Sequence, residues 1–133
     1  MIKVLVESPF KGNQRRNVTY ARACLKDCFL RGEAPFASHL LYTQEGVLED
    51  DIPEERTQGI EAGLLWGSLA EKTMVYIDLG LSSGMVYGIA RAILEGRPVE
   101  FRGLKFWENK RNENFQETLE TLGKAIKIFE EAP

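Results

Sequence analysis

The chain has 133 residues, 44% of them hydrophobic, with a formal net charge of -3 and a pI near 5.3. That length and apolar share suit one domain over residues 1–133 with one core. The mildly acidic balance lacks the clustered cations that hold a phosphodiester backbone, so a nucleic-acid polymer is not an expected partner. No charged-then-apolar leader follows Met1 and no apolar run reaches the length of a bilayer span, which leads us to expect a cytoplasmic protein without a membrane partner.

Residues 2–7, IKVLVE, form a short apolar run rich in β-branched side chains and stopped by Ser8-Pro9, the pattern of a central strand. Over residues 13–31, Val18, Ala21, Leu25, Cys28 and Phe29 recur at three- and four-residue spacing and Gly32 follows, which predicts a helix with one buried stripe. Cys24 and Cys28 lie one turn apart on it, and His39 is the single histidine, so buried thiols are expected rather than a disulfide or a metal site. Residues 34–41 read as a second strand, placed at an edge because Pro35 cannot donate to a ladder. Residues 43–50 are polar and loop-like. Asp51 offers an N-cap, with Pro53 in the first turn and Glu54 three residues on, for a helix running to about Ser68.

Residues 73–79, TMVYIDL, form the next strand, covered on both faces, and residues 80–84 a glycine and serine turn. Met85, Ile89, Ala92 and Ile93 mark a helix ending at Gly96, residues 98–101 a last short strand, and Phe115, Leu119, Leu122, Ile126 and Phe129 a stripe on a helix over 114–131. This alternation predicts an α/β fold: a flavodoxin- or Rossmann-like parallel sheet of about four strands, order 2-1-3-4, with helices on both faces.

In such a sheet a ligand sits beyond the carboxyl ends of the strands where the strand order reverses, here between the first and third strands. The loops converging there carry Ser8, Pro9, Phe10 and Gly12, then Asp78, Ser82, Ser83 and Gly84, with His39 arriving from the second strand. Ser82 and Ser83 open a helix, where free N–H groups favour an anion; a plain N-cap is the competing assignment. Arg15, Arg16 and Asn17 begin the first helix. His39 is either a ligand contact or a histidine bonded to backbone. Tyr42 and Arg56 are lesser candidates, and the run Glu49-Asp50-Asp51 reads as a solvated cap. The first turn has one glycine, Gly12, so the GxGxxG fingerprint is absent, as are the P-loop step and the GxSxG elbow. No cofactor is expected.

Ser8-Pro9-Phe10, the segment from Gly32 to His39, and VYIDLGLSSGMVYGIARAILEGRPVE over residues 75–100 together resemble the nucleoside 2-deoxyribosyltransferases and the related nucleoside monophosphate N-glycoside hydrolases, including phage-type members. The resemblance spans most of residues 1–102. It implies a nucleotide-sized pocket, an oligomer, and attack on the anomeric carbon by a glutamate on the helix after the glycine turn. Counting from Ser82-Ser83-Gly84-Met85, that position holds Gly88. With the nucleophile missing there, the implied function is binding of a nucleoside, nucleotide or nucleotide-derived signal, to sequester or sense it. The alternatives are N-glycosidic hydrolysis or deoxyribosyl transfer through a relocated carboxylate, with Asp78 or Glu61 as candidates, or a structural subunit. Phe101, Phe106 and Trp107 are expected to be poorly covered and to suit a homo-oligomer interface.

Overall fold

The computed structural model describes residues 1–131 apart from the side chain of Phe129; Ala132 and Pro133 lie outside the described residues. Four parallel strands, β1 (Lys3–Glu7), β2 (Ala34–Phe36), β3 (Lys72–Tyr76) and β4 (Val99–Arg102), form one sheet in the order β2-β1-β3-β4. Leu5 pairs with Phe36 on one side and Thr73 on the other, and Tyr76 with Arg102. The strands are joined by α1 (Gln14–Leu30), α2 (Ser38–Leu41), α3 (Pro53–Gly67) and α4 (Ser83–Leu94), and α5 (Glu108–Glu131) follows a 3-10 turn at Lys105–Trp107. This is a Rossmann- or flavodoxin-like arrangement with helices on both faces.

Alternation along β1 divides the core. Val4 and Val6 face α1, where they pack with Tyr20, Cys24, Cys28, Met74 and Tyr76, all at most 1% exposed. Each such burial stabilises by about 1.5–3 kcal/mol against exposure. Both cysteines are free thiols in this layer. Leu5 points to the opposite face, where α3 comes so near that a Cβ on Gly67 would stand 2.7 Å from its Cδ2. Val75, Met85 and Ile89 form the second cluster, with Leu122 of α5 packed against it.

Several boundaries differ from the sequence expectation. The second strand stops at Phe36, opposite Leu5, and the chain turns into α2 instead of running on to Leu41. With no ladder partner beyond that pair, the amides of Leu40 and Leu41 bond to Ala37 O at 3.1 and 3.3 Å. β3 likewise ends before Asp78, whose amide goes to the Tyr20 hydroxyl at 3.0 Å rather than to a neighbouring strand. Ile52, not Asp51, is the N-cap of α3 and makes no side-chain cap bond. α5 starts at Glu108 rather than Asn114. Its stripe is not fully buried: Phe115, Leu119 and Ile126 are 49, 48 and 52% exposed, while the side chain of Phe129 lies outside the described residues. Trp107 is half-buried and stacks edge-on to Tyr20 at 5.1 Å, so it covers the core, whereas Phe106 is 95% exposed.

Candidate functional site

The strand order reverses between β1 and β3, and the chain there opens a cavity of about 350 Å³. Its floor is Leu5 and Glu7 of β1; its walls come from the loop after β1, from α2 and α3, and from the first turns of α4.

Two asparagines shape the first loop. Asn13 caps α1 by accepting the Arg16 amide at 3.2 Å. Asn17, 1% exposed, donates to the carbonyls of Phe10 and Lys11 at 2.9 and 3.1 Å. Just before Asn13, Gly12 takes φ +101°, a conformation that side chains disfavour. The loop thus presents Phe10, Lys11 and Gly12 to the cavity. Asn17 positions the loop from behind.

The Ser8 hydroxyl and His39 Nε2 share a hydrogen bond of 2.8 Å, the direction of donation set by the imidazole tautomer. Phe10 meets the His39 ring edge-on at 6.4 Å. Burial pushes the His39 pKa down to about 4, so the ring is neutral at physiological pH. The one-turn α2 that carries it can lie close to α3 because position 63 is glycine: a Cβ there would stand 2.5 Å from Ser38 Oγ.

On the other wall Ser82 is the N-cap of α4 and accepts the Met85 amide at 3.3 Å. The N–H groups that open the helix at Ser83 and Gly84 have no acceptor within it and border the cavity. Lys11 and Arg56 add cationic side chains to the lining, Asp50 a carboxylate, and Ile60, Leu64 and Tyr87 apolar surface. A smaller hollow of about 70 Å³ adjoins it, sharing His39, Asp50 and Arg56 and reaching Tyr42.

Glu7 is the residue that sequence reasoning missed. Its side chain is on the Leu5 face, half-buried, and wedged beneath α4: a Cβ on Gly88 would lie 2.6 Å from its carboxyl carbon. Among the described residues its carboxyl group makes no hydrogen bond or ion pair. Burial lifts its pKa to about 8, against the opposing pull of Arg97. The signal was present in the sequence, since a period of two from Leu5 puts Glu7 at the carboxyl end of the central strand on the cavity side.

Of the residues expected at the site, Ser8, Phe10, Gly12 and His39 line the cavity from one side, and Ser82, Ser83, Gly84, Met85 and Gly88 from the other. Pro9, Arg16 and Asn17 do not line it. Glu61 is exposed on α3 and does not line the cavity, although its neighbour Ile60 does. Asp78 is also elsewhere, fully buried, its Oδ2 accepting the Tyr20 hydroxyl at 2.7 Å and the Leu104 amide at 2.9 Å, its Oδ1 accepting Arg111 at 3.0 Å. These bonds occupy both oxygens in binding the sheet to α1 and α5. Among the described residues no group of three or more His, Cys, Asp or Glu is placed to hold a metal ion, and no helix is long and apolar enough to cross a membrane.

Sheet, crossovers and cavity define a Rossmann-like α/β domain with its site at the point of strand-order reversal. Residues 2–102 match the family described as a domain of unknown function, DUF7768, and the chain belongs to that family. Among solved structures, the chain is similar to a 2-deoxyribosyltransferase from the psychrotolerant bacterium Bacillus psychrosaccharolyticus: 20% identity, 87% of this chain and 95% of that chain covered, TM-score 0.54. That likeness is one of fold. No curated protein gives a significant match.

Proposed function

We propose that the cavity binds a nucleoside, a nucleotide or a nucleotide-derived signalling molecule, which the protein sequesters or senses. The observation that carries this reading is the convergence, in one cavity of about 350 Å³, of apolar walls suited to a flat ring and of polar groups at the mouth of α4. Phe10, Leu64 and Tyr87 offer surface to a base, and His39 with Ser8 offers hydrogen-bonding groups beside it. The opening amides of α4, with Lys11 and Arg56, favour an anionic group such as a phosphate. The fold shared with a 2-deoxyribosyltransferase supports the same ligand class.

Titration calorimetry with the common nucleosides and their monophosphates tests the reading. At least one should bind, and His39→Ala should weaken it by about 1–3 kcal/mol through loss of a contact made in the cavity. Absence of binding by every one of them at millimolar concentration would overturn the assignment.

Self-association belongs to the same proposal. Phe106 and Phe101 are 95 and 45% exposed, as the stripe of α5 is half-exposed, and aromatic surface of this kind suits an interface between copies. Light scattering at micromolar concentration should give more than the monomer mass of 15.1 kDa. A clean monomer would count against it.

A further inference from the structure

The cavity floor holds a carboxyl group that the fold does not use. Glu7 ends the central strand, contacts no partner in the described chain, and fills the space that the missing side chain of Gly88 leaves beneath α4. An unpaired carboxyl group in such a place costs stability unless it is neutral or meets a ligand. We propose that Glu7 is the acid of this cavity: from beneath Gly88 its carboxyl group delivers a proton to the departing base of a bound nucleoside or nucleotide as the N-glycosidic bond breaks. The proposal rests on the nucleoside reading above and turns it from binding alone into hydrolysis.

The chemistry balances. The proton passes from Glu7 to a nitrogen of the base, and the electron pair of the C1′–N bond leaves with the base. A water oxygen bonds to C1′, and the proton this water sheds restores the Glu7 acid. Nucleoside plus water gives free base plus pentose, and nothing is oxidised or reduced. A proton donor is wanted at this step because an unprotonated base is a poor leaving group.

The surroundings keep the acid protonated. From α4, Gly88 offers no side chain to it. His39 on α2 is neutral, and Lys11, Arg56 and Asp50 are the charged groups that line the same cavity. Arg97, ahead of β4, is the cation that acts on Glu7, but it is already engaged with Glu95 and with the Thr73 hydroxyl, 2.9 Å away. Burial outweighs its pull and sets the pKa near 8, so most Glu7 carries a proton at neutral pH.

Release of free base from the four common deoxyribonucleosides and their monophosphates, followed by chromatography beside calorimetric binding of the same compounds, tests the proposal. Wild-type protein should release base from at least one of them, at a rate that falls as pH rises through about 8. Glu7→Gln, which keeps the shape of the neutral side chain but cannot act as an acid, should fold at least as well and still bind, but lose about 100-fold or more in release. Binding without release by the wild type would overturn the proposal and leave the binding reading standing. Equal release by Glu7→Gln, or a wild-type rate flat between pH 6 and 9, would also overturn it. Binding of none of the compounds would remove both.

Discussion

The carboxyl carbon of Glu7 lies 2.6 Å from the point where a Cβ of residue 88 would stand, so these two positions hold one side chain between them. The sequence resemblance to deoxyribosyltransferases raises the expectation of a glutamate at position 88; the carboxyl group that fills the space beside Gly88 rises from β1. A glycine inside a helix costs about 1 kcal/mol against alanine, and the room it gives Glu7 accounts for it at this point of α4.

That shared space makes a double-mutant test direct. In the wild-type background Gly88→Ala should destabilise by about 1–3 kcal/mol, the usual range for overpacking. In a Glu7→Ala background the carboxyl atoms nearest that Cβ are gone, and the same change should stabilise by about 1 kcal/mol through helix propensity. Denaturant midpoints of the four proteins measure the coupling. Equal effects in both backgrounds would show that the contact carries no energy.

Stability should depend on pH through Glu7. Its folded pKa, about 8, stands above the ordinary 4.5, so between those values the folded chain holds a proton that the unfolded chain has lost. Wild-type stability relative to Glu7→Gln therefore falls as pH rises from 4.5 through about 8, then levels. Thermal melts of both proteins across that range check the sign. A difference that does not change with pH would place the Glu7 carboxyl in water.

His39 acts in the opposite direction and at lower pH. Its folded pKa of about 4 lies below the ordinary 6.5, so the unfolded chain binds the extra proton. The stability this contributes is intact above pH 6.5 and is lost as pH falls toward 4. His39→Gln should flatten the acid limb of the stability curve in that window. An acid limb identical to wild type would exclude the imidazole as its source.

Asp78 is expected to matter for stability and not for ligand. Removing one member of a buried charge pair leaves the rest uncompensated, so Asp78→Ala should cost about 3 kcal/mol or more in chemical denaturation. Whatever folded fraction remains should bind nucleotides with wild-type affinity, because Asp78 does not line the cavity. Weakened binding in that folded fraction would return Asp78 to the site.

The order of the strands and the place of the crevice were legible because each depends on runs of residues: an apolar β1 and β3, a proline in β2, and glycines ending α1 and α4. Single carboxylates were harder. Glu7 ends the apolar β1 and Asp78 follows just beyond the apolar β3, and period two alone does not tell which finds partners. The partners of Asp78 come from Tyr20, Leu104 and Arg111, far apart in sequence and brought together only by the fold. The one-turn α2 was hidden for a related reason, since it forms where β2 runs out of neighbours at Phe36, a fact of register rather than composition.

The match to the family ends at residue 102, yet Asp78, inside it, draws its cation and one amide from residues 111 and 104. Gly103 keeps that route open, for a Cβ there would stand 2.8 Å from Arg111 Cζ. A ribosome that has released only the four strands has therefore delivered every strand of the sheet while one of its buried anions still lacks a counter-ion. During synthesis the domain cannot close on a fully compensated interior until α5 has begun to emerge. Trimming the chain to its family-matched part would hold it permanently at that stage.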